Sequence, residues 1–336
     1  MSTEPGKEMK EKFSILKLVQ KVPGGMMIVP LILGALCNSF IPQAIEIGGF
    51  TTALLKDGVN AFVAMFFVCS GSQIKLREAA TPLARGTVLC LSKIIIGAVI
   101  GLVVAKVWGM EGILGLSPLA LVSAITNSSG TLYVSLAQEF GDKNDVAAIG
   151  PLCINDLPFV TMIVFGAAGL ADIPLISLLA SLFPLVLGII LGNIDENIRK
   201  FLAPGCNVII PFVAFALGAN LRFQSLLSAG MSGILLGIIT VITTGLGGYY
   251  SYALTNHGKP RAVGAAIGSC AGICSATPLY VASVDESLMP YVADATAACT
   301  AATLLTAILC PVFVSMLDRW DKKKDAARTN KSKTTA

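Results

Sequence analysis

Charge and histidine are what this chain of 336 residues has least of. Asp, Glu, Lys and Arg together make up 13% of it against 54% hydrophobic residues. That is too little polar surface to wrap a water-exposed core, so a soluble enzyme or binding module is excluded. The single histidine, His257, lies in a polar loop, which excludes a buried histidine proton relay and a histidine-activated nucleophile. There is no HExxH, no P-loop and no dinucleotide fingerprint, so no enzymatic chemistry is expected. The nine cysteines are odd in number and lack metal-ligand spacing. Cys69, Cys90, Cys270 and Cys299 fall in apolar stretches and read as small packing residues, so no disulfide, metal or cofactor is expected. The net charge of +4 is spread over the edges of apolar stretches rather than gathered on one face, which argues against a nucleic-acid partner. Nothing resembles a carbonyl filter or a ring of like charges, so the pattern is not that of a channel.

What the chain has in abundance is apolar sequence long enough to span a lipid bilayer. Ten stretches qualify, at about 24–41, 58–74, 84–107, 115–138, 146–170, 174–192, 204–221, 227–254, 261–284 and 291–317. The fold class is therefore an all-α polytopic membrane protein with no soluble domain left over. Residues 1–22 lack a signal-peptide core and cleavage site and read as a retained amphipathic lead, while the basic tail 319–336 reads as disordered. With the N-terminus inside, twenty Lys and Arg face inward and three outward, and Lys93 falls within a span. Both termini are therefore expected in the cytoplasm.

A weak repeat runs at an offset of 147 residues. "GVNAFVAMFFVCSGSQIKL" from Gly58 aligns with "GCNVIIPFVAFALGANLRF" from Gly205, matching Asn60 to Asn207, and "NSSGTLYVS" falls on "CSATPLYVA" at the same offset. Five spans per half is an odd number, so the second half must enter the membrane from the opposite side. The expectation is two inverted five-helix repeats, 23–172 and 173–318, as in secondary transporters.

The fourth and ninth spans are interrupted at equivalent places. Thr126-Asn127-Ser128-Ser129-Gly130-Thr131 is six poor helix formers in a row, and its mate around Cys274 to Pro278 carries a proline. Non-helical backbone at membrane depth is tolerated only beside protein or a wet cavity, so spans 4 and 9 are expected to be broken helices that cross near the midplane. Half-helices starting near Ser129 and Ala276 would turn unpaired N–H groups and positive dipole ends toward a small anion. The substrate-binding candidates are Thr126, Asn127, Ser128, Ser129, Ser275 and Thr277, with Asn60 and Lys93. Lys93 could draw in the anion, pair with Asp156, or snorkel to the inner headgroups. The most deeply placed acid is Asp156, beside Asn155 and two residues before Pro158. These two, with Asp294 nearer the outer end of span ten, are the proton-coupling candidates.

"KVPGGMMIVPLILGALCNSF" at 21–40, "SPLALVSA" at 117–124, "GTLY" at 130–133, "LGNID" at 191–195, "IPFVAFALG" at 210–218 and "ATPLYVA" at 276–282 closely resemble the bacterial 2-keto-3-deoxygluconate permeases. The resemblance covers about Lys21 to Trp320. It implies proton-coupled uptake of a small sugar-acid anion across the bacterial inner membrane, on the ten-span, two-bundle fold of the related bile-acid and sodium symporters. The chain departs from the family pattern in two places. Asn155-Asp156-Leu157-Pro158 stands where members carry glutamate followed by Ser-Gly-Pro, and Thr126 stands where they carry an aspartate. Sodium thus stays open beside the proton as the coupling ion.

Overall fold

A computed structural model describes residues 14–21, 25–76, 80–221, 230–270 and 272–334. The lead before Ser14, Arg77, Arg222 and the opening of the eighth stretch at 227–229 lie outside them. Every described element is helical. In order they are α1 (Ile15–Lys21), α2 (Gly25–Phe40), α3 (Pro42–Ile45), α4 (Gly49–Leu55), α5 (Val59–Ser72), α6 (Ala80–Trp108), α7 (Pro118–Ile125) and α8 (Gly130–Phe140). Then come α9 (Lys143–Ala147), α10 (Ile149–Leu152), a 3-10 turn Cys153–Asp156, α11 (Pro158–Ala167), α12 (Leu175–Ile194), α13 (Glu196–Leu202) and α14 (Gly205–Gly218). A helix Gly230–Ser251, a 3-10 helix Ala262–Gly268, a short helix Thr277–Ala282 and a final helix Met289–Thr334 complete the chain.

Each of the ten apolar stretches has a helical counterpart. Five are helical runs of spanning length, at 80–108, 175–194, 196–218 (α13 with α14), 230–255 and 286–324. Three are bent pairs: 49–55 with 59–72 at 60°, 118–125 with 130–140 at 43°, and 143–155 with 158–167 at 57°. The remaining two are shorter apolar segments, 28–40 and 262–275. The tail expected to be disordered is instead the end of the final helix, which continues to Thr334. Its Lys, Ala and Arg residues are helix formers, and Asp318 pairs with Lys322 one turn on at 2.7 Å.

The helices sort into two bundles. In the first, α5 packs on α12 and α14, and α14 on α2, around Leu31, Phe66, Leu185 and Val213. Backbone meets backbone here: a Cβ on Gly192 would lie 2.1 Å from the Ser72 carbonyl oxygen, and one on Gly218 only 2.0 Å from that of Leu31. Glycine is what allows such an approach. In the second bundle the final helix and α6 flank Gly230–Ser251, with α7 and the 3-10 helix Ala262–Gly268 packed between them. Its core has one cluster around Leu119, Met162, Leu236 and Ala298 and another around Leu89, Tyr133, Tyr249 and Cys310.

A polar knot closes one end of this second bundle. Arg85 Nη1 donates to Asp142 at 2.8 Å and to Asp145 at 2.9 Å. The Tyr252 hydroxyl donates to the Asp145 carboxylate at 2.7 Å, and Tyr133 to the Asp145 carbonyl at 3.0 Å. Asp142 and Asp145 also form a capping box at the start of α9. Four chain segments are tied together by ionised and hydroxyl groups at the loop that joins α8 to α9.

Candidate functional site

The first interruption falls where the residue types place it. The α7 helix starts on a Ser117 cap with Pro118 in the first turn, and runs only to Ile125. The Thr126 hydroxyl then turns back to the Val122 carbonyl at 2.8 Å, and Asn127 and Ser128 follow as buried, non-helical residues. Ser129 is extended and caps α8 by accepting from the Leu132 N–H at 3.4 Å. Gly130 and Thr131, the first residues of α8, have N–H groups that the helix itself leaves unpaired.

The second interruption begins earlier than its proline suggests. The chain leaves its 3-10 helix at Gly268, Ser269 is extended, and Gly272–Ser275 is another 3-10 turn before the short helix begins at Thr277. Pro278 sits in that helix's first turn, where no donor is needed. Cys270 marks the contact between the interruptions: its thiol donates to the Ala124 carbonyl at 3.4 Å, while its N–H is taken by Thr306 Oγ1 at 3.0 Å. The two broken segments therefore touch. Around them the Ser123, Ser128, Thr277 and Thr296 hydroxyls and the Asn155 amide nitrogen are buried with no hydrogen-bond partner among the described residues.

A cavity of about 450 Å³ separates the two bundles beside the first interruption. The second bundle supplies Ser129, Gly130, Thr131 and Cys153, and the first supplies Ser70, Gln73 and Asn207, with Phe66 and Ile210 as apolar wall. Of the eight residues expected to bind substrate, Ser129 alone lines it. Thr126, Asn127, Ser128, Ser275 and Thr277 are buried one layer behind, where Ser275 accepts from Thr300 at 3.1 Å. Asn60 is exposed and lines a smaller cavity of about 260 Å³ with Ser177, Ser181 and Tyr280.

Lys93 faces neither cavity, nor does it reach toward the headgroups. It is fully buried, and its ammonium donates to the Ile267 carbonyl and to that of Ser269 at 2.9 Å. Asn155 is buried, with its oxygen 2.7 Å from the Cys90 thiol. The backbone at Asp156 ends the 3-10 turn before Pro158, and its side chain lies outside what the structure describes. Asp294 is exposed near the start of the final helix.

Sequence reasoning missed Ser70, Gln73 and Asn207. Asn207 was available through the repeat, as the mate of Asn60. Gln73 sits at the end of a span, where an amide reads as solvated.

Two bundles, two interrupted helices in contact and a part-polar cavity between the bundles define a multi-pass membrane protein built like a secondary transporter. The fold agrees with a solved structure, the sodium proton antiporter MjNhaP1 from Methanocaldococcus jannaschii, at a TM-score of 0.52 over 88% of this chain and 94% of that one, with 14% identity. A family profile described as 2-keto-3-deoxygluconate permease matches residues 16–323. Among similar proteins is 2-keto-3-deoxygluconate permease 1 of Salmonella typhimurium, 46% identical over 321 residues, covering 95% of this chain and 99% of the relative. Another is the 2-keto-3-deoxygluconate permease of Escherichia coli O157:H7, 35% identical over 318 residues, covering 93% and 96%. The chain belongs to the 2-keto-3-deoxygluconate permease family; it is a transport protein, not an enzyme.

Proposed function

We propose that the protein imports 2-keto-3-deoxygluconate, or a close sugar-acid anion, by proton symport with alternating access, across the bacterial inner membrane with both termini in the cytoplasm. The observation that carries this reading is the cavity between the bundles. At about 450 Å³ it suits a six-carbon acid with its hydration partly stripped. Ser129 and the first N–H groups of α8 offer the carboxylate donors and a positive dipole end. Ser70 and Asn207 face them with a hydroxyl and an amide suited to sugar hydroxyls, and Gln73 adds its amide oxygen, its nitrogen being held by Ser72 Oγ at 2.8 Å and the Arg199 carbonyl at 3.1 Å. The names of the relatives supply the particular acid.

Two inverted repeats account for the layout. Asn60 and Asn207 match at the 147-residue offset, and each lines a different cavity. Gln73 closes α5 and Asn207 opens α14, so on the Lys and Arg count the larger cavity lies on the inner half and the Asn60 cavity on the outer half. Asp156 is the proposed proton carrier, with Asn155 beside it and Asp294 as a second acid on the outer half. Uptake of a sugar-acid panel into vesicles, with pH and sodium gradients imposed separately, tests the reading. The expected result is accumulation of 2-keto-3-deoxygluconate driven by the pH gradient. Accumulation on a sodium gradient alone would replace the coupling ion, and binding without accumulation would make the protein a membrane sensor.

A further inference from the structure

Lys93 lies half-way along α6 and is fully buried. A charge there is costly, and a costly charge in a span asks for a task. Three oxygens that receive its hydrogens, those of Ile267, Ser269 and Thr244, are acceptors. The carbonyls of Ile267 and Ser269 have no hydrogen to give, and the Thr244 hydroxyl, 3.4 Å from Nζ, spends its own on the Thr240 carbonyl at 2.7 Å. Three such oxygens call for three N–H donors, which only the ammonium form supplies. Two of them mark the place where the 3-10 helix Ala262–Gly268 ends and its last carbonyls lose their helical partners, the negative end of the element. Two backbone carbonyls and a hydroxyl turned inward on one point are also the kind of oxygen set that gathers a hard metal cation.

We propose that Lys93 is a built-in cation: its ammonium takes the place of a bound ion at the second interruption, holding the freed carbonyls of Ile267 and Ser269 so that this half of the crossing keeps its broken shape without recruiting a cation from solution. Lys93 is then a positioning residue. It never meets the substrate, and it acts by fixing the segment that leads from Ser269 through Cys270 onto α7. The uptake arm of the test rests on the transport reading above; the stability arm does not.

Lys93→Ala removes the side chain from Cγ to Nζ, a fragment equivalent to n-propylammonium. In purified protein in detergent, the thermal midpoint of Lys93→Ala should fall and should be raised by propylammonium chloride beyond the effect of propanol or tetramethylammonium chloride at the same concentration. The midpoint of the native protein should not respond. A variant as stable as the native protein, or one helped no more by the amine than by propanol, overturns the proposal. Should Lys93→Ala not be recoverable, Lys93→Met fills the space without the charge. Its uptake should be slower by about tenfold or more with no response to the amine, and native-like uptake and stability would overturn the assignment. A native protein that carries no acid would sink the transport reading, and the stability comparison would still decide this one.

Discussion

Replacing the carboxylate of the substrate by its neutral amide probes the recognition scheme most directly. The charge would rest on the first turn of α8, where the N–H groups of Gly130 and Thr131 lie on the cavity wall beside the Ser129 hydroxyl, which accepts from the Leu132 N–H and keeps its own hydrogen; the two N–H groups alone are counted. A hydrogen bond to an ionised acceptor contributes about 1.5–3 kcal/mol against about 0.5–1.5 for a neutral one, so two bonds separate acid from amide by about 2–3 kcal/mol. The helix end adds roughly 0.3–2 kcal/mol for the negative charge and nothing for the amide. The sum, about 2–5 kcal/mol, corresponds to an affinity ratio of about 30-fold to several-thousand-fold. Isothermal titration of the purified protein at neutral pH, acid against amide, measures it. Affinities within threefold of each other would mean that the α8 terminus does not read the carboxylate, and that Ser70 and Asn207 would have to hold it by neutral hydrogen bonds.

Asp156→Asn should abolish accumulation driven by a pH gradient while substrate exchange persists; a variant that still accumulates with native pH dependence refutes Asp156 as proton carrier. Gly192→Ala places a Cβ 2.1 Å from the Ser72 carbonyl oxygen, so α12 must move off α5 at a cost of about 1–3 kcal/mol, visible as a lowered thermal midpoint; an unchanged midpoint would mean that the two backbones do not meet. Arg85→Met leaves Asp145, whose side chain is only 3% exposed, without its cation, and should destabilise by about 3–5 kcal/mol. Burial raises the Asp142 pKa, but hydrogen bonds from Arg85 and from the N–H groups of Asp145 and Asn144 outweigh it and hold the carboxyl below its usual value. Its contribution is therefore present above about pH 4 and lost as the pH falls further, so the native thermal midpoint should drop on acidification more steeply than that of Arg85→Met.

Eight of the ten apolar stretches, those that form helices or bent pairs of spanning length, and the first interruption were legible because both depend on local chemistry: length against bilayer thickness, and six residues that disfavour helix. The second interruption was legible only from Cys274 to Pro278. Its earlier turn at Ser269 is fixed by Lys93, 176 residues away in sequence, and no local pattern carries a contact of that span. The hydroxyl-rich run from Thr126 to Ser129 announced a polar site but not its direction. Most of that run points into protein, and the cavity wall is completed by Gln73 and Asn207 on the opposite bundle, whose amides sit at helix ends and look like ordinary solvated positions.

The close seam at Gly218 joins α14 to Leu31 in α2, helices far apart in the sequence. At a synthesis rate of about 5–20 residues per second, roughly 190 residues separate them, so α2 waits in the bilayer for about 10–40 s before the backbone it is shaped to meet has been made. Until then its seam faces lipid, and the first bundle cannot close. Biogenesis of this chain is thus a matter of holding early helices apart from wrong neighbours, and a membrane insertase that shelters small-residue faces would act on α2 and α5 before any later helix arrives.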